Sequence, residues 1–467
     1  MRSGDRRFIV FLAFVALVFL TGGGSRDDIQ SLVFLRPACA FFIAYALTVG
    51  SGTGLARLRV PLLLLLGLAG WMILQLVPLP PALWQSLPDR AAIAAMDHAA
   101  GLDGIWRPIS LSPSKTLNSL CSLVVPLAGL LLYSVLPDER RRLLPMVLVI
   151  AASASALLGL AQLAMGGHGP LYLYAITNEG NAVGLFANRN HNAVLAATML
   201  IFVGHLVLER RPASGRRRGP DLGLVLPLCA GLLLLVVLLI NGSRAGLLVG
   251  VLALGFVAAY RTAVELGTRR ADAMRRADRL RRNLSLAVLG VAALVALALL
   301  FARGETIDRL VNLSVADELR VRAFGVISKM ASDNFLFGIG FGAFENVFPR
   351  YETAALLQET YLNNAHNDWL QWIIEGGLPA LALAGAFAAW AVQRGAQHWR
   401  LRGAAKQRVR LAACAGFALV LLLAASLLDY PLRVPSMMLY AVLLIALFAD
   451  PPEPAADAGR RRSSQRR

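Results

Sequence analysis

The chain is predicted to be an all-α polytopic membrane protein of about twelve transmembrane helices, with a helical loop domain late in the sequence. Three observations predict this. Of its 467 residues 57% are hydrophobic, and the mean hydropathy is +0.61. Apolar runs near the roughly 20 residues that cross bilayer hydrocarbon recur from end to end. The basic residues fall in every second loop between those runs, the charge asymmetry that orients membrane helices.

In order, the apolar runs predict spans at 8–20, 32–49, 60–77, 117–136, 143–164, 192–208, 222–240, 245–260, 284–302, 378–392, 411–428 and 434–448. With Met1 inside, the loops read as cytoplasmic hold 32 of the 46 Lys and Arg. Four regions follow: residues 1–302 with nine spans, a loop domain at 303–377, three further spans at 378–449, and a basic tail at 450–467 whose Pro, Ala and Arg content predicts disorder. Residues 1–24 read as an uncleaved first helix, since Leu20-Thr21-Gly22-Gly23-Gly24 lacks the Ala-x-Ala pattern of a signal-peptide cleavage site. The net charge of +18 is then mostly an orientation signal, with some attraction to anionic lipid. Its scatter over separate loops argues against nucleic acid as a partner. Cys39, Cys121, Cys229 and Cys414 lie far apart inside predicted spans, without CxxC spacing, and read as packing residues.

The unusual polar residues gather in the loops of the opposite, outer face. The segment 303–377 holds six basic against ten acidic residues and predicts two or three short helices against the membrane. Within it, Gly338-Ile-Gly340-Phe-Gly342 reads as a turn of close backbone approach; no strand precedes it and no Lys-Ser or Lys-Thr follows, so it is not a nucleotide loop. His366 precedes an apolar stripe of Trp369, Leu370, Trp372 and Ile373 at helical spacing. Asn363 and Asn364 are the expected caps, and Glu375-Gly376-Gly377 the expected helix end. A helix start disfavours imidazolium and favours a bound anion, which suits a base beside an anion site; a capping histidine beside interfacial tryptophans is the plainer alternative.

Arg244, in Asn241-Gly-Ser-Arg-Ala, belongs at the outer end of its helix, because a charge at mid-bilayer costs about 2.5–3.5 kcal/mol or more. Asn188-Arg189-Asn190-His191-Asn192 and Asp429-Tyr430-Pro431-Leu432-Arg433 are polar patches at the same face. Each is explicable alone as interfacial polarity. Together they bring Arg189, Arg244, Arg433, His191 and His366 to one side of the membrane.

At these residues the chain resembles the O-antigen ligase and O-antigen polymerase superfamily of bacterial envelope glycosyltransferases. Arg244 to Leu248 is similar to its Arg-x3-Leu signature and His366 to Gly377 to its His-x10-Gly signature; Phe186 to His191, Gly338 to Phe344 and Asp429 to Pro435 are similar to patterns of ligase-like members. The resemblance covers roughly 178–435. It implies a C-type glycosyltransferase-like fold in the bacterial inner membrane, with a periplasmic active face. The implied reaction is metal-independent, uses no cofactor, and moves a glycan from undecaprenyl diphosphate to an acceptor hydroxyl with inversion. The absence of an Asp-x-Asp motif and the dispersal of the six histidines agree with that chemistry.

On this reading Arg244 stabilises the diphosphate leaving group, helped by Arg189 and by Arg320 or Arg322, and His366 orients or deprotonates the acceptor. Asn188, His191, Asp429 and Arg433 are expected to bind diphosphate or glycan. The acceptor stays open: lipid A core for a ligase of lipopolysaccharide assembly, another glycan for a polymerase, a protein hydroxyl for an oligosaccharyltransferase. A transporter of lipid-linked glycan predicts charged residues near mid-span, and a glycoside hydrolase predicts paired carboxylates; the sequence singles out neither. A non-catalytic assembly protein is the remaining rival.

Overall fold

A computed structural model describes residues 3–50, 52–210, 221–268, 315–357, 362–401 and 406–450. The helices that build it are α1 (Ser3–Thr21), α2 (Leu32–Val49), α3 (Arg59–Leu76), α4 (Ala91–Ala99), α5 (Pro113–Ser122), α6 (Val124–Ser134) and α7 (Leu144–Ala164). They continue as α8 (Arg189–Leu208), α9 (Leu222–Ile240), α10 (Arg244–Thr268), α11 (Val315–Asp333), α12 (Asp368–Leu401), α13 (Lys406–Ala425) and α14 (Pro435–Ala449). The fold is all-α. Among the described residues strand structure is confined to β1 (Pro78–Leu79) and β2 (Arg107–Pro108), an antiparallel pair that closes the loop after α3.

Nine helical stretches among the described residues are long and apolar enough to cross a bilayer. Two more expected spans are present with a difference. Helix α1 carries Asp5, Arg6 and Arg7 near its start, and α14 is shorter, at 15 residues. The expected span at 284–302 lies outside the described residues, as does the tail at 451–467. Large apolar side chains such as Phe34, Phe41, Leu66 and Val392 face outward. An apolar surface of that extent suits lipid and not water.

Helix α8 is the axis of the bundle: 83% of its apolar window is buried, and α7, α9, α10 and α13 pack around it. Helices α2, α6 and α14 form the adjoining layer, while α3 packs against α5 and α12 at the side. The alternation of basic loops reappears as geometry. Asp138 accepts Arg57 at 2.8 Å and Arg408 at 3.1 Å, Arg141 reaches Asp450 at 3.0 Å, Arg410 meets Glu209 at 2.6 Å and Arg140 meets Asp5. Those of the pairs that are about a third exposed, such as Arg57–Asp138 and Arg140–Asp5, add little stability. They show that the loops read as cytoplasmic share one end of the bundle. At the other end Ser436 N donates to Gly22 O at 2.9 Å, Ala187 N to Gly23 O at 3.0 Å and Asp368 N to Ser426 O at 2.9 Å.

The late loop region contains a longer helix than expected, the 19-residue α11, together with the one-turn helix Phe344–Val347. Their apolar faces make a second small core in which Ala323, Ile327, Met330, Phe344 and Phe348 pack against Ile374 of α12. The glycine run is a turn pressed against α12: Ile339 N donates to Ile374 O at 3.0 Å and Gly340 N to Glu375 O at 3.1 Å. Gln75, fully buried near the end of α3, ties these pieces together. Its Nε2 donates to Glu375 O at 2.8 Å and Phe337 O at 3.1 Å, and its Oε1 accepts from Phe341 N at 3.2 Å. Gln75→Leu keeps the volume and strands the Phe341 N–H, so a loss of about 1–3 kcal/mol is expected. The check is a lower apparent unfolding temperature of the detergent-solubilised protein; an unchanged one would show that the staple is redundant.

Candidate functional site

Three helices begin at one place on this second face. Helix α8 starts at Arg189 because Asn188, in extended conformation, accepts a hydrogen bond from Asn190 N with its side chain. Helix α10 starts at Arg244 after a turn in which Gly242 takes φ 61° and Ser243 Oγ accepts from Gly246 N at 3.1 Å. Helix α12 starts at Asp368, where Asn367 Oδ1 accepts from Trp369 N at 3.0 Å and Leu370 N at 3.1 Å. The cap is therefore Asn367, not the expected Asn363 or Asn364. Asn364 instead accepts from Gln371 Nε2 at 3.1 Å. Each helix start adds the positive end of a backbone dipole to the same neighbourhood.

The first turn of α8 joins the other two starts. On one flank Asn241 Nδ2 donates to Arg189 O at 2.9 Å, which ties the Arg244 turn to Arg189. On another, Asn190 Nδ2 donates to Asp429 Oδ2 at 2.8 Å and Asn188 Nδ2 to the same oxygen at 3.3 Å. The turn that precedes the signature arginine and the loop that bears Asp429 are thus both bonded to residues at the start of α8. Arg189 and Arg244 are both half-buried. The Arg189 guanidinium donates to Asn181 Oδ1 at 2.9 Å.

Asp429, 3% exposed, is the hub. His366 Nδ1 stands 3.4 Å from Asp429 Oδ1, and His191 Nε2 stands 4.0 Å from Asp429 Oδ2. Tyr430 lies between the two imidazoles, edge-on to both, with ring centres 4.9 Å from His366 and 5.4 Å from His191. The histidines differ in access: the His366 side chain is 19% exposed and that of His191 2%. His191 is thus positioned behind Tyr430, and His366 is the ring that meets the outside. Its backbone has φ 50°, a left-handed conformation that costs a non-glycine residue of order 1–3 kcal/mol and concentrates at functional sites.

The remaining predicted residues divide. Arg433 is engaged by acids: its Nη2 donates to Glu375 Oε2 at 3.0 Å and its Nε lies 3.4 Å from Asp368 Oδ1. Glu375, expected as a helix end, is fully buried in this pair and accepts from Gln371 Nε2 at 3.0 Å. Asp368 Oδ2 accepts from Leu432 N at 3.1 Å. This network fastens the loop 429–433 to α12, so Asp429 and His366 keep their separation. Arg320 and Arg322 belong to α11, where Arg322 is exposed, and the side chain of Arg320 lies outside the described residues.

Sequence reasoning did not single out Asp368, Gln371, Asn190 and Tyr430. For the first two a signal existed, since Asp368, Gln371 and Glu375 recur at i, i+3 and i+7 on one face of an otherwise apolar helix. Tyr430 and Asn190 carry no spacing that separates them from neighbours in their patches.

The glycine of the His-x10-Gly signature has a structural duty. Gly377 takes φ 61° and ψ −156° inside α12, and a Cβ there would stand 2.6 Å from Gly338 N and 2.7 Å from Phe337 C. It breaks the helix into a short site segment and a membrane segment, and it lets the glycine turn lie against the junction.

Residues 229–385 match a family model described as O-Antigen ligase. The match contains both Arg244 to Leu248 and His366 to Gly377, and it bears out the resemblance read from the sequence. No curated protein matches the chain.

Proposed function

We propose, from the chain's place in the O-antigen ligase and polymerase superfamily, that it transfers a glycan from undecaprenyl diphosphate to an acceptor hydroxyl at the periplasmic face of the inner membrane. The family is one of glycosyltransferase-like membrane enzymes; donor, acceptor and residue roles are our reading. The observation that carries it is the joining, through the start of α8, of the turn before Arg244 to the loop in which Asp429 stands against His366.

Each part has a chemical task. When the C1–O bond to the lipid diphosphate breaks, the electron pair leaves with the diphosphate, and its charge grows where helix dipoles and guanidinium groups are already oriented. Arg244 is the leading group, with Arg189 beside it, because a planar fork bonds two phosphate oxygens at once. His366 Nε2, on the ring edge away from Asp429, takes the proton of the acceptor hydroxyl as its oxygen bonds to C1. Asp429 orients the ring from the Nδ1 side and steadies the imidazolium that forms. In this reading His191 and Tyr430 hold Asp429 and His366 in place, and Arg433 serves the scaffold through Glu375. Single displacement inverts the anomeric centre. The described loop residues 315–357 and 362–377 hold His366 toward the donor, and the lipid-facing helices take the polyprenyl tail.

The test is a donor-turnover assay with the purified full-length protein, scoring free polyprenyl diphosphate and glycan-modified acceptor together. Arg244→Ala is expected to lower both by about 10²–10³-fold, the usual effect of removing one donor to a developing oxyanion, with Arg244→Lys retaining a part. Diphosphate release without acceptor modification would indicate hydrolysis. Lipid movement with the diphosphate bond intact would indicate a transporter, and full activity of Arg244→Ala would remove the leaving-group assignment.

A further inference from the structure

A cavity of about 340 Å³ lies in the late loop region, lined by Glu345, Asn346, Phe348, Pro349, Glu352 and Leu362. That volume is at the small end of ligand sites, which run from about 300 to 1,000 Å³. Phe348 is 2% exposed and forms the floor. Asn346 and Pro349 are exposed at the rim, with Glu345, Glu352 and Leu362 half-buried between, so the cavity opens to the outside.

Its walls are held in place from two sides. Lys115 of α5 reaches Glu345 Oε2 and Asp27 Oδ2, each at 2.8 Å, and Asn346 Nδ2 donates to Ser112 Oγ at 2.8 Å. Gly342, at φ 79°, lets the preceding turn approach α5 so closely that a Cβ there would stand 2.5 Å from Ser119 Oγ and 2.8 Å from Lys115 O. On the other side Phe348 and Leu362 belong to the small core shared with α12. A cavity fixed in this way costs a ligand little ordering of the protein.

The polar groups of the lining have unused capacity. Lys115 takes one oxygen of Glu345 and Ser112 takes the amide N–H of Asn346. Among the described residues no donor is bonded to Glu345 Oε1, Asn346 Oδ1 or the Glu352 carboxylate. Acceptor oxygens beside the apolar Phe348, Pro349 and Leu362 match a sugar ring, which carries hydroxyl donors on its edge and C–H groups on its faces. Two carboxylates repel a uronate or a phosphorylated sugar. These oxygens are also fewer than the roughly six to eight that a calcium ion takes.

Position links the cavity to the transfer site. Leu362 and His366 are joined by the segment Leu362-Asn363-Asn364-Ala365-His366, and a fully extended chain of that length sets their Cα atoms at most about 14 Å apart. A short oligosaccharide spans that distance. We propose that the cavity is a subsite for an uncharged sugar unit of the acceptor, set back from the hydroxyl that His366 serves, with Glu352 and Asn346 accepting hydrogen bonds from its hydroxyl groups. Its part in acceptor recognition rests on the transferase reading; the binding of a sugar there does not.

The test is saturation-transfer NMR of the purified full-length protein, in a detergent without a sugar headgroup, against a panel of oligosaccharides. The panel holds neutral hexose, heptose and N-acetylhexosamine oligomers, uronate oligomers and glucosamine oligomers. At least one neutral oligomer is expected to bind and the uronates not to. Glu352→Ala, at a half-buried position that bonds to no other side chain, should weaken the neutral binding about tenfold, the share of a hydrogen bond to a charged group. Glu352→Gln should retain more than Glu352→Ala, and Asn346→Ala should weaken binding by a smaller factor. With the same neutral glycan as acceptor, Glu352→Ala should raise the KM about tenfold and leave kcat unchanged, the mark of lost binding energy away from the reacting atoms. Absence of binding by every neutral oligomer, binding confined to charged ones, or neutral binding that both alanine variants leave unchanged overturns the proposal. Weaker sugar binding with an unaltered acceptor KM overturns the acceptor role. His366→Asn, which silences transfer on the reading above, is expected to leave oligosaccharide binding intact, so the two proposals fail separately.

Discussion

Glycan transfer by His366→Ala is expected to fall by about 10²–10⁴-fold, the contribution of a positioned general base, with little change in donor binding. The reasoning starts from the ring's surroundings. Nδ1 is buried and lies 3.4 Å from Asp429 Oδ1, so the ring's only open edge is the one that carries Nε2. A purely structural histidine at a helix start makes a different prediction. The backbone of residue 366 is left-handed, φ 50°, a conformation that Asn tolerates nearly as well as His. His366→Asn therefore preserves the turn and removes the base. Loss of transfer in both variants, with unchanged elution and helical content, supports catalysis; an active His366→Asn would reduce His366 to a turn residue. Asp429→Asn should also lower transfer, because the amide cannot steady the imidazolium and sets its NH2 against one of the donors Asp429 accepts, Asn190 Nδ2 at one oxygen or Tyr430 N at the other.

Gly377→Ala is expected to destabilise the fold, and transfer should fall with it. The φ 61°, ψ −156° pair at Gly377 belongs to a region that only glycine occupies freely, worth of order 1–3 kcal/mol for any other residue. The added Cβ also meets backbone, Gly338 N at 2.6 Å, which has no rotamer to yield. Gly385, farther along the same helix, is the control, since a Cβ there meets nothing within 4 Å. Gly385→Ala should be neutral or stabilising by about 0.5–1 kcal/mol. Apparent unfolding temperatures of the two variants in one detergent decide the matter. Equal values would mean that the break at Gly377 is not what fixes the site segment of α12.

How much could be read in advance follows from the kind of force involved. The positions of the described membrane helices and the grouping of the described basic loops at one end follow from hydrocarbon thickness and loop charge, both of which act on contiguous stretches and so show in the chain's linear order. The span 222–240 agrees to the residue with α9, because nothing but apolar length sets its ends. The same logic brought Arg189, Arg244, His191, His366, Asp429 and Arg433 to one face.

It did not say which of these residues touch. Asp429 as a hub for two imidazoles and Arg433 held by Glu375 and Asp368 are pairings between residues tens to hundreds of positions apart. Their energies depend on distance and desolvation in the packed protein. Spacing along one helix left a trace of the acidic face of α12; contacts across loops leave none. Gln75 is the sharpest case, since in sequence it is one polar residue near the end of an apolar run, and only packing buries it against Phe337, Phe341 and Glu375.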